Sequence, residues 1–94
     1  MTTNETPAKV QRLLNIAAKY DELATAEVDG YMSTRCWEVT SSAQHKQWDR
    51  VWIYWTPAAN GGSVQVHECY GGGGKPARIT QSQAYIALAM LAGH

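Results

Sequence analysis

Apolar residues first recur at helical spacing, as Val10, Leu13, Leu14, Ala17 and Leu23-Ala24, while Lys9, Arg12, Lys19 and Glu22 fill much of the remainder. That period predicts an amphipathic helix of about four turns or more. Thr6 stands at its N-cap position and Pro7 at the first helical position, where a missing N–H costs nothing. Asp29-Gly30 is a turn signal that closes it. From Tyr31 the period falls to two. Tyr31–Val39 carries aromatic and β-branched residues suited to a strand. Arg50–Thr56 is the clearest strand, with Val51, Ile53 and Trp55 alternating against Trp52, Tyr54 and Thr56, and Pro57 ending it. Asn60-Gly61-Gly62 tolerates positive φ, and Ser63–Tyr70 then alternates Val64 and Val66 with Gln65 and His67. The polar segment Thr40–Asp49 reads as a loop, with Trp48 at the border of the next strand.

Gly71–Gly74 and Pro76 argue against a central strand, so residues 71–79 read as a glycine-rich connector. Thr80-Gln81-Ser82-Gln83 has the capping-box form and precedes the apolar run Ala84–Ala92, which predicts a last helix from Gln81 to Ala92. Its apolar residues go nearly all the way round. Such a helix is sandwiched on two sides or meets another chain, and Ile86, Leu88, Met90 and Leu91 are the residues through which two copies would join.

These elements give an α+β class with the order α-β-β-β-α: a three-stranded antiparallel meander, both helices on one face and the other face open. At 94 residues the chain is expected to form a single domain, with residues 1–5 as a disordered N-terminus. Cys36 and Cys69 fall on the outer strands, about 9–10 Å apart at two strand spacings. A disulfide needs Cα atoms within about 7 Å, so two free thiols are expected.

Eight Lys+Arg balance eight Asp+Glu, which removes long-range attraction to phosphate but leaves room for a local patch. The N-terminal residues carry no signal-peptide pattern, and Ala84–Ala92 is far short of the roughly 20 apolar residues a bilayer requires. The expectation is a cytoplasmic protein with no membrane contact.

Catalytic and ligand motifs fail on inspection. A phosphate loop ending at Gly74-Lys75 would need glycine where Cys69 stands and Ser or Thr where Pro76 stands. His67 and Cys69, even with Cys36 or Glu38, lack the spaced pairs that complete a zinc site. His45, Asp49, Ser41 and Ser42 share a loop, but nothing in the sequence holds a hydroxyl against an imidazole. The expectation is therefore no enzyme activity, no cofactor and no metal.

The aromatic residues are the most informative: Trp37, Trp48, Trp52, Tyr54 and Trp55, in a chain without phenylalanine. Alternation sends Trp55 with Val51 and Ile53 to one face, and Trp52 with Tyr54 to the other. The aliphatic set is the better core, which leaves Trp52 and Tyr54, with Trp37 and His67, as a partner-binding surface of the kind that dominates interface hot spots. The leading reading is a small protein-binding module, an accessory or inhibitor protein of the phage or mobile-element type, acting through the aromatic face or the last helix. The alternative is a nucleic-acid-binding module using His45, Lys46, Arg50, Lys75 and Arg78. A structural homo-oligomer is the third class.

The order α-β-β-β-α also resembles double-stranded-RNA-binding domains over Pro7–Ala92, with His45 in the first hairpin loop and an alanine-rich last helix. Where that family places lysines at the start of the last helix, this chain has Gln81, Ser82 and Gln83, with Lys75 and Arg78 nearby. The loop also lacks the family's Gly-Pro lead to its histidine. The resemblance is one of topology, and it implies the same three-stranded sheet with nucleic-acid binding as the alternative function.

Overall fold

Period-two alternation in Arg50–Thr56 is the organising feature: it sends Val51 and Ile53, both essentially inaccessible, toward the helices and Trp52 and Tyr54 away from them. In the computed structural model, which describes residues 5–30, 32–58, 61–71 and 74–94, that strand is the middle of five. The elements are α1 (Ala8–Ala17), β1 (Leu23–Val28), β2 (Arg35–Ser41), β3 (Arg50–Thr56), β4 (Ser63–Cys69), β5 (Ala77–Ile79) and α2 (Gln81–Leu91). The sheet is an antiparallel meander in the order β1-β2-β3-β4-β5.

Both helices cover the same face. Val10, Leu13 and Ala17 of α1 and Ala84, Ala87, Leu88 and Leu91 of α2 form one buried cluster with Trp37, Val39, Val51, Ile53 and Val66. The register accounts for this, since Trp37 lies opposite Ile53, Ile53 opposite Val66 and Val66 opposite Ile79, a continuous apolar row over β2 to β5. Trp55 packs at its margin. Gly62, at φ +83°, lies so close beneath the Trp55 ring that a Cβ there would overlap it.

The expectation of three strands is corrected to five, and with it the topological likeness to double-stranded-RNA-binding domains lapses. Leu23-Ala24, read as the end of the first helix, belongs to β1. Helix α1 has only ten residues and closes through tight bonds from Lys19 N–H to Ile16 C=O and from Tyr20 N–H to Ala17 C=O. Its N-cap is Pro7 without a side-chain cap, one residue later than the sequence predicted. The first predicted strand is shifted to Arg35–Ser41, and its first residue, Tyr31, lies outside the described residues. Inside the expected connector 71–79, Ala77–Ile79 pairs with β4, while Gly72 and Gly73 lie outside the described residues, as do residues 1–4 and Asn60.

Other expectations match the structure. Arg50–Thr56 is a strand. Thr80 caps α2 in a complete capping box with Gln83. Cys36 and Cys69 are both buried and free as expected, separated by β3, although β2 and β4 are inner strands of the sheet and not its outer ones. Among the described residues no helix is long and apolar enough to cross a membrane.

Candidate functional site

On the sheet face away from the helices, strand register lines up Ala26, Glu38, Trp52, His67 and Arg78 in one row across all five strands. Val28, Cys36, Tyr54 and Gln65 form the neighbouring row. Each strand contributes alternate residues, so this grouping follows from the pleat once the register is set. Trp52, Tyr54 and His67 are half-buried, and among the described residues no secondary element lies over them.

The polar contacts fix these rings. Trp52 Nε1 donates to Glu38 Oε2 at 3.2 Å, and Tyr54 meets His67 edge-on with centroids 4.9 Å apart at 68°. Burial pushes the Tyr54 phenol above its ordinary range, and the adjacent Cys36 adds to the shift. Burial also raises the Cys36 thiol, although its hydrogen bond with Tyr54 works the other way. Both groups are therefore neutral at physiological pH. Beside them Thr34, Tyr54, Thr56, Gln65 and His67 line a shallow depression of about 220 Å³.

Trp37, expected on this surface, is instead 4% exposed on the helix face, because it alternates with Cys36 and Glu38 and pairs with Ile53. The Arg35 guanidinium lies over its ring, 4.7 Å from the centroid, and also pairs with Glu27. The predicted surface thus reduces to Trp52, Tyr54 and His67. Glu38, Gln65 and Thr34 join them, residues that sequence reasoning missed as site members. The signal for Glu38 was present: it alternates with Trp37 and Val39.

The cationic residues do not gather into one patch. Arg50 lies 3.9 Å from Glu38 and donates to the Gln47 and Asp49 carbonyls. Lys46 lies 3.9 Å from Asp49, a buried carboxylate that accepts the Gly71 N–H at 2.7 Å. His45 is exposed in the β2–β3 loop at φ +65°, and Lys75 is exposed before β5. Arg78 flanks the row at the end beyond His67, and Arg50, two residues before Trp52 on the same strand face, flanks it beside Glu38. Trp48, 72% exposed, sits outside β3 in the loop.

The predicted self-contact on α2 divides. Leu88 and Leu91 are core residues at 0% and 1% exposure, because they pack into the cluster shared with α1 and the sheet. Ile86 and Met90 face outward and, with Tyr70 and Ile79, line a second shallow groove. The four residues cannot form one interface. Among the described residues no three His, Cys, Asp or Glu side chains converge as a metal site.

No protein-family model, curated protein or solved structure matches this chain.

Proposed function

We propose that the protein is a small non-enzymatic protein-binding module, of accessory or inhibitor type, that docks a partner protein on the uncovered sheet face. The observation that carries this reading is the row Glu38–Trp52–His67–Arg78 with Tyr54 beside it: large aromatic area next to both signs of charge, with no element among the described residues over it. Amphipathic rings of this kind bury much area on binding and still offer hydrogen bonds. A phosphate backbone is a poorer fit. Single-stranded nucleic acid needs stacking rings inside a positive groove, whereas here Arg50 and Lys46 lie beside Glu38 and Asp49.

The test is a double change of Trp52 and Tyr54 to Ala, with partner capture measured against the wild type after circular dichroism has shown a cooperative fold. Each true hot spot contributes about 2 kcal/mol or more, roughly thirtyfold in affinity. Undiminished capture of the same partner by the folded variant would remove this face from consideration. Binding to oligonucleotides that falls steeply with salt would move the protein to the nucleic-acid class.

A further inference from the structure

The two edges of the sheet are built differently. The β5 edge is three residues long, directly preceded by Lys75-Pro76 and carrying Arg78, the features that keep an edge from pairing with another chain. The β1 edge is twice as long, Leu23–Val28, with no proline, lysine or arginine, and its residues Ala24 to Val28 are all exposed. Its one charged side chain, Glu27, is tied up by Arg35 of the same chain, so the edge has no shortening, proline or free cation to keep another strand away. We propose that β1 is the self-association edge, two copies pairing their Leu23–Val28 strands antiparallel about a twofold axis to join their sheets.

Backbone geometry supplies the free hydrogen-bonding groups. Ser42 N–H donates to Glu22 C=O at 2.9 Å, so Glu22 and Ser42 are a hydrogen-bonded pair of the β1–β2 ladder. By alternation the next such pairs are Ala24 with Thr40, Ala26 with Glu38 and Val28 with Cys36. The N–H and C=O groups of Thr25 and Glu27 therefore point out of the sheet, toward an approaching strand.

Charge favours a second copy over a charged peptide. The only charged side chain on β1 is Glu27, and Arg35 of the same chain already holds it through two hydrogen bonds, at 2.8 and 2.9 Å. Two β1 strands can approach without carboxylate repulsion, and an antiparallel pairing centred near Thr25 or Ala26 keeps the two Glu27–Arg35 pairs on opposite sides of the axis. Ala24, Thr25 and Ala26 are small enough for the strands to close to ladder distance. Pairing would also continue the open face, through Ala24, Ala26 and Val28, from one copy into the next.

Sedimentation equilibrium across micromolar to millimolar protein, with amide exchange on the wild type, tests this. The expected result is a concentration-dependent dimer in which the Thr25 and Glu27 amides are protected only at dimeric concentrations. Thr25→Pro removes an outward N–H without touching the β1–β2 ladder, and should weaken dimerisation about tenfold or more through the hydrogen bonds lost in both copies. Thr25→Lys, which keeps the backbone and adds like charge near the axis, should do the same. A monomer throughout the range with fast-exchanging Thr25 and Glu27 amides would overturn the proposal. So would a dimer unaffected by either variant, or one abolished by Ile86→Lys, which would place the contact on α2.

Discussion

Trp52 and Glu38 face each other across the β2–β3 pair, and the indole Nε1 donates to the carboxylate at 3.2 Å. The same carboxylate lies 3.9 Å from Arg50 Nε, so Glu38 both orients the central ring of the exposed face and offsets its nearest cation. Glu38→Gln keeps an acceptor for the indole but removes the negative charge. Affinity for a short single-stranded oligonucleotide, followed by fluorescence anisotropy, should then rise several-fold over wild type. The dependence of log K on log salt should steepen by about 0.7 for each further phosphate neutralised. No difference between the two proteins would show that Glu38 is not what suppresses phosphate binding.

The inner and outer faces of α2 should separate cleanly in denaturation experiments. Leu88, fully buried, should lose about 2–5 kcal/mol on replacement by Ala. Ile86, 62% exposed, should change stability by no more than about 0.5 kcal/mol when replaced in the same way. Urea midpoints at constant slope give both values.

Gly61 and Gly62 have similar backbone conformations, φ +104° and +83°, but different surroundings. A Cβ at residue 61 meets open space, so Gly61→Ala carries only backbone strain, about 1–2 kcal/mol. At residue 62 the added Cβ runs into the Trp55 ring, so Gly62→Ala should cost more and perturb tryptophan fluorescence. Equal losses would show that the Trp55 ring moves aside freely.

Tyr70 donates to Glu68 Oε2 at 2.6 Å, and burial together with that carboxylate pushes its phenol up to about 12. A phenol raised above its unfolded value stabilises the fold fully below about pH 10. That contribution is lost as pH rises through the folded value of about 12. Absorbance titration near the tyrosinate band should therefore show a late-ionising component at about 12 that Tyr70→Phe removes, apart from the raised phenol of Tyr54. Its persistence in that variant would assign the late ionisation to another tyrosine.

Cys36 and Cys69 are both buried, and burial raises the Cys36 thiol. A thiolate-selective reagent should react slowly with the native protein and rapidly after unfolding, with two thiols counted per chain. Fewer than two without reductant would contradict the strand order that separates them.

Strong period-two alternation, a capping box and the choice between aliphatic and aromatic strand faces are local properties, and the sequence alone determined what depends on them. Arg50–Thr56, Ser63–Cys69, the Thr80 cap and the outward placement of Trp52, Tyr54 and His67 belong to that class. Leu23–Val28 lacked such a signal, because a strand exposed along nearly its whole length needs no apolar alternation and its Leu, Ala and Glu are good helix formers. Ala77–Ile79 is too short to have a period. Both strands are held by backbone ladders to a neighbour, an interaction in which side-chain identity is nearly silent. Tertiary structure alone decided that Trp37 is core while Glu38 reaches Trp52, because a shift of one residue in the β2 register would exchange the two faces. It also decided that Leu88 and Leu91 are core while Ile86 and Met90 are not, since α2 is apolar nearly all round and only packing against α1, β3 and β4 selects its inner side.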